Sequence, residues 1–247
     1  MKNIEDYIDS TYLKTNEQSG LSEGETRKIV FNLTKEALEN GYYAVMIRPQ
    51  YVREIKDYIT SHNGKVKVGT VIDFPQGTAS TENKIIEAEE AIGDGADELD
   101  FVANYQAFKK GNLERVKEEI LKCTRLGLIN QKIVKWIIEI AALTDQQIAE
   151  FTRLIADVVE ANFPDEAKKV FVKSSTGFYK TEAGKPAGAT FEGMKIILDN
   201  VRSLSVKAAG GIRTPEEAQK MIEMGVGRIG TSSAKSLIEN QQTDTDY

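Results

Sequence analysis

Val172-Lys173-Ser174-Ser175-Thr176-Gly177-Phe178 and Val206-Lys207-Ala208-Ala209-Gly210-Gly211-Ile212-Arg213 are two versions of one pattern. In each, a short β-branched run ends in a lysine and gives way to small, glycine-bearing residues. That order reads as a cation at the carboxyl end of a strand, followed by a loop whose backbone can approach a ligand closely. Charged side chains rarely sit on buried strands without a partner or a task.

Working outward, strand-like runs alternate with amphipathic helical stretches. Strands are expected at Tyr7–Asp9, Tyr43–Ile47, Val66–Ile72, Glu98–Val102, Ile133–Ile140, Lys169–Lys173, Ser205–Ala208 and Arg228–Gly230. Helices are expected at Glu25–Asn40, Thr81–Gly93, Leu113–Leu126, Thr144–Ala161, Thr190–Val201, Thr214–Met224 and Ala234–Asn240. Thr144 and Thr214 are suited to cap helix starts, and Gly41, Gly64, Gly95 and Gly225 to end helices. Alternating βα units imply a parallel sheet covered by helices. Eight strands in 247 residues favour an α/β chain closed as a (β/α)8 TIM barrel with an extra N-terminal helix. An open doubly wound sheet is the alternative, but no Gly-x-Gly-x-x-Gly follows the first clear strand. No linker divides the chain, so residues 1–247 read as one barrel domain with a mobile polar tail at 240–247.

A net charge of −6 argues against a general nucleic-acid binder. Met1 opens on Lys-Asn-Ile-Glu-Asp and no apolar run approaches a membrane span, so neither a signal segment nor a membrane partner is expected. One cysteine, Cys123, rules out an intrachain disulfide framework and fits a reducing, cytoplasmic setting. Lying within a helical pattern, it reads as a small core residue. With one histidine, His62, between a helix and a strand in a solvated turn, no His-rich zinc site or His-based triad can be built. An oxygen-only magnesium site stays open.

Two lysines on successive strands suggest an amine nucleophile and a second cation that lowers its pKa; partial desolvation acts the same way. That combination points to imine chemistry on a carbonyl compound. The competing reading is that each lysine caps a strand end or pairs with an acid. In Glu98-Leu99-Asp100-Phe101, period-two alternation puts Glu98 and Asp100 on one side, where Asp100 could hold the lysines' charge and relay protons. Glu139, with Lys135 on its side, is a similar acid, or the two form a structural ion pair. Gly210-Gly211 and Gly230-Thr231-Ser232-Ser233 follow the last two strands, where such barrels bind phosphate, and Thr176-Gly177 could add donors. Plain turn and N-cap chemistry is the bland alternative.

These segments, with Ile8-Asp9-Ser10-Thr11, Phe74-Pro75-Gln76-Gly77 and Lys135-Trp136-Ile137-Ile138-Glu139, resemble the deoxyribose-phosphate aldolase family over most of the chain. The resemblance implies a class I aldolase: reversible cleavage of 2-deoxyribose 5-phosphate to glyceraldehyde 3-phosphate and acetaldehyde, without a cofactor. It also implies roles: Lys173 forms the Schiff base, Lys207 depresses its pKa, Asp100 serves the proton relay, and Asp9 lies near the substrate hydroxyls. Ser232, Ser233 and Gly230 would join the phosphate site with Thr176, Gly177, Gly210 and Gly211. The sequence departs from the family's pattern in Ser174, in Phe178 where some members carry lysine, in Met46 where many have cysteine, and in enlarged segments at Thr15–Glu25 and Tyr179–Ala189. The latter could lie over the mouth. Some relatives end in a tyrosine thought to reach the active site, as Tyr247 would here. Barrels of this family are often dimers, which leaves a homodimer open. A related aldolase for another sugar phosphate and a non-catalytic sugar-phosphate-binding barrel are the alternatives.

Overall fold

The structure is a computed structural model and describes residues 3–182 and 186–239. After a 3-10 turn at Ile4–Tyr7, β1 (Ile8–Tyr12) leads into the short helix α1 (Asn16–Ser19) and the long α2 (Glu23–Asn40). There follow β2 (Ala44–Ile47), α3 (Val52–Ser61), β3 (Lys67–Ile72), α4 (Thr81–Gly93), β4 (Glu98–Val102), α5 (Tyr105–Lys109) and α6 (Leu113–Ile129). The second half runs β5 (Ile133–Ile137), α7 (Asp145–Asn162), β6 (Val170–Lys173), α8 (Phe191–Asn200), β7 (Ser205–Ala209), α9 (Pro215–Met224), β8 (Arg228–Thr231) and α10 (Ala234–Glu239). All eight strands pair in parallel and in sequence order, and β8 closes onto β1 through Ile8↔Ile229 and Asp9↔Gly230. The chain forms a closed (β/α)8 barrel, with the turn before β1 as its extra N-terminal helical piece.

Local chemistry explains where the helices begin. Thr15, Ser22, Thr144 and Thr214 each accept the N3 backbone N–H, while Gln18, Glu25, Gln147 and Glu217 reach back to the cap. Each such cap contributes about 1 kcal/mol. β4 shows how alternation divides the molecule. Leu99 and Phe101 face the helices, where Phe101 stacks on Trp136 at 5.2 Å and the indole N–H donates to Thr124. Glu98 and Asp100 face the barrel interior.

Two interior regions result. On the β1–β3 side, Met46 and Val71 form a small apolar cluster with Leu13, against which Phe74 and Phe178 pack. Gly69 leaves room for them: a Cβ there would fall 2.2 Å from the Met46 sulfur and force that side chain to shift. On the other side the interior is ionic.

Candidate active site

Register builds the ionic cluster. Lys173 pairs with Lys207 across β6 and β7, Lys207 with Arg228 across β7 and β8, and Asp100 with Lys135 across β4 and β5. Register partners in a parallel sheet point to the same face, so these side chains converge inside the barrel. Four cations and three carboxylates meet there, all nearly or fully buried. Arg228 grips Asp9 and Glu98, with Nη1 3.0 Å from Glu98 Oε1. Lys135 Nζ lies 2.6 Å from both Glu98 and Asp100. Lys207 Nζ lies 2.6 Å from Asp9 and 3.0 Å from Asp100. Lys173 differs: among the described residues its one carboxylate is Asp100, at 2.9 Å, and that oxygen also serves Lys207.

The charge states follow. Burial would push the Asp100 carboxyl up, but Lys135, Lys173 and Lys207 together hold it well below the usual carboxylate range. Asp9 is held at about 2 against the same burial penalty by Arg228, Lys207 and Lys135. Lys135, resisting burial through Asp100 and Glu98, is raised above an ordinary lysine. Lys173 goes the other way, down to about 8: burial is the largest cause, Asp100 opposes it, and the positive charge of Lys207 adds to it. The sequence reading put the neighbouring cation first. Desolvation leads because the last residue of β6 is only 3% exposed.

The ladder has a direction. Glu98 and Arg228 open β4 and β8 at the amino end, whereas Lys173 closes β6 at the carboxyl end, where such barrels hold their active sites. A cleft of about 750 Å³ lies over that end, lined by Gly177, Gly210, Gly211 and the cations Lys14, Lys180 and Arg213.

Residues 14–237 match the model of the DeoC/LacD family of aldolases. The chain belongs to that family. It is 40% identical over 239 residues to the deoxyribose-phosphate aldolase of Thermococcus kodakarensis, covering 96% of each chain. To that of Caldicellulosiruptor saccharolyticus it is 39% identical over 242 residues, covering 96% of this chain and 97% of the relative. The fold overlays on the tetrameric deoxyribose phosphate aldolase of Aeropyrum pernix with a TM-score of 0.75 at 28% identity, over 96% of this chain and 90% of that one.

Within this family member, the expected phosphate residues divide. Gly177 (φ 83°) and Gly211 (φ 75°) line the cleft, and among the described residues neither N–H has a protein partner. Gly211 also needs its missing side chain, because a Cβ would sit 2.7 Å from the Ala189 carbonyl oxygen. Gly210 borders the same cleft but donates its N–H to Gly230 at 3.3 Å. Gly230 lies inside β8, where a Cβ would come 3.1 Å from Cε of Lys207. Ser232 borders a separate crevice of about 260 Å³ beside Ser10 and Thr11, and the Ser233 N–H donates to Thr231. Thr176 is buried, with both its N–H and its hydroxyl donating to Glu139.

Two further expectations resolve differently. β5 stops at Ile137, and Glu139 takes a left-handed backbone (φ 56°) that turns its carboxyl to Thr176; Lys135 instead pairs with Glu98 and Asp100. Of the segment that could cover the mouth, Tyr179, Lys180, Thr181, Pro186, Ala187 and Gly188 line the cleft, and residues 183–185 fall outside the described ones. Tyr247 and the 240–247 tail do too. Arg228 was missed as a site residue, although a charge on a buried strand is the same signal that singled out the lysines. Among the described residues no group of three His, Cys, Asp or Glu side chains is arranged to hold a metal, and no helix is long and apolar enough to cross a membrane.

Proposed function

We propose that the chain is a class I aldolase that reversibly cleaves 2-deoxy-D-ribose 5-phosphate into D-glyceraldehyde 3-phosphate and acetaldehyde, with Lys173 as the amine that forms the Schiff base. The observation that carries this reading is the pairing imbalance: three interior cations have two carboxylates each, and Lys173 shares one. Four cations over three carboxylates leave one positive charge uncompensated, and the cation with the weakest pairing gives up its proton most readily.

The neutral Nζ of Lys173 adds to the C1 carbonyl of the open-chain sugar. Proton transfer and loss of water give the protonated imine. Removing the proton of the C3 hydroxyl breaks the C2–C3 bond, releases glyceraldehyde 3-phosphate and sends the bond pair into the enamine. C2 then takes a proton, water adds to the imine, and acetaldehyde leaves with Lys173 restored. The lysine supplies the electron sink, so the reaction asks for no cofactor.

Asp100, held ionised by three ammonium groups, is a weak base. Its part is to hold Lys207 in place, 3.0 Å away, and to pass protons through a water or a substrate hydroxyl. Asp9 fixes Lys207 from the other side. The Gly177 and Gly211 N–H groups, with the cations of the cleft, are suited to the 5-phosphate. The free, buried Cys123 suits a cytoplasmic enzyme.

The test is acetaldehyde release from deoxyribose 5-phosphate in chelator-treated buffer, beside ribose 5-phosphate and other sugar phosphates. Preferential cleavage of the deoxy sugar supports the assignment. Faster cleavage of another sugar phosphate moves the substrate, and no cleavage of any of them ends the aldolase reading.

A further inference from the structure

Glu139 has no part in the chemistry above, yet the fold goes to some expense to place it. It is a non-glycine residue at φ 56°, a conformation that costs on the order of 1 kcal/mol or more. It is 1% exposed. On either side the chain is stitched to the end of β6, Ile138 N–H donating to Lys173 O at 3.0 Å and Ile140 N–H to Ser174 O at 2.9 Å. Between these two bonds the carboxyl crosses to the loop after β6. There Oε2 accepts both the N–H of Thr176, at 3.2 Å, and its hydroxyl. The same hydroxyl accepts the Phe178 N–H at 3.0 Å. Oε1 is buried with no hydrogen-bond partner among the described residues.

One carboxylate oxygen thus pins Thr176 directly and Phe178 through the Thr176 hydroxyl. Gly177, between them, lines the cleft with its N–H unpaired. We infer that Glu139 is a positioning residue that fixes the loop after β6 so that the Gly177 N–H meets the phosphate of the substrate. This rests on the aldolase reading above. The bonds to Thr176 are strongest while Glu139 is ionised. Burial opposes that state and raises its carboxyl to about 7, so the placement serves the loop at a cost to the acid.

The test compares KM and kcat of the wild type, Glu139→Ala and Glu139→Gln on 2-deoxyribose 5-phosphate and on unphosphorylated 2-deoxyribose, whose open chain carries the same C1 aldehyde and C3 hydroxyl. Glu139→Ala is expected to raise KM for the phosphorylated sugar by about tenfold, the loss of one good interaction, with little change for the free sugar. Glu139→Gln keeps an oxygen that accepts both Thr176 donors and should restore most of that difference. Should Glu139→Ala fail to fold, Thr176→Val, which removes the shared hydroxyl, is expected to shift the ratio the same way. An unchanged KM ratio, an equal rise for both sugars, or a fall in kcat with KM intact would overturn the inference. Wild-type protein inactive on both sugars would remove the aldolase reading and this inference with it. Active wild type with a flat KM ratio would remove the Glu139 inference alone.

Discussion

The two ends of the ionic ladder are built from the same kinds of side chain and do opposite things to their lysines. At the lower end, Lys135 lies between Glu98 and Asp100 and is held as a cation above the ordinary lysine range. At the upper end, Lys173 is equally removed from water but has a single, shared carboxylate, and it falls to about 8. Burial penalises an ammonium in both places; the number of carboxylates decides which lysine keeps its proton. A barrel interior can thus hold one lysine as structure and another as a nucleophile on the neighbouring strand.

The sharpest way to break the comparison is to remove the upper lysine. Lys173→Ala should lower carbon–carbon cleavage roughly ten-thousandfold or more, as loss of a covalent nucleophile does, with the fold intact by circular dichroism. Lys135→Ala leaves Asp100 buried with less compensation, so its damage should appear first as lost stability. Cleavage that survives Lys173→Ala would dissolve the distinction between the two ends.

Next comes the lower end itself. Glu98→Ala strips one carboxylate from both Arg228 and Lys135. Breaking a buried pair in this way costs about 3–5 kcal/mol, to be read from the urea unfolding midpoint. A loss below about 1 kcal/mol, the level of an exposed pair, would mean the lower end is not the rigid counterpart described here.

These pairings also mark where sequence reading stops. β4 and α4 could be read to the residue, because Glu98–Val102 and Thr81–Gly93 carry clean alternation and a clear cap. β1 was expected at Tyr7–Asp9 and lies at Ile8–Tyr12, since polar Ser10 and Thr11 hide a strand whose inner face is not apolar. α3 could be inferred only from the turn at His62, and α5 not at all. The convergence of Lys173, Lys207 and Asp100 followed from lysines at strand ends and alternation in β4. The partners of Lys135 and Arg228 did not, because Arg228 and Asp9 sit at opposite ends of the chain and meet only when β8 closes on β1. Thr176 was expected to serve phosphate, and its occupation by Glu139 depends on a backbone turn that no residue type at position 139 signals.

The smallest effect is graded rather than lost. Because burial disfavours the ammonium of Lys173, the neutral amine dominates above pH of about 8 and is about one part in ten at pH 7. Imine formation should therefore rise about tenfold per pH unit below about 8 and level above it, in stopped-flow or steady-state kcat/KM profiles. A profile that keeps climbing to about pH 10 would indicate a lysine with an ordinary pKa.

The most direct measurement is borohydride trapping with acetaldehyde, followed by peptide mapping. Lys173 should carry the one N-ethyl group, with Lys135 and Lys207 unmodified in the same sample. A label on either of those two lysines, or none in protein that still cleaves its substrate, would contradict the assignment of the free amine to the upper end of the ladder.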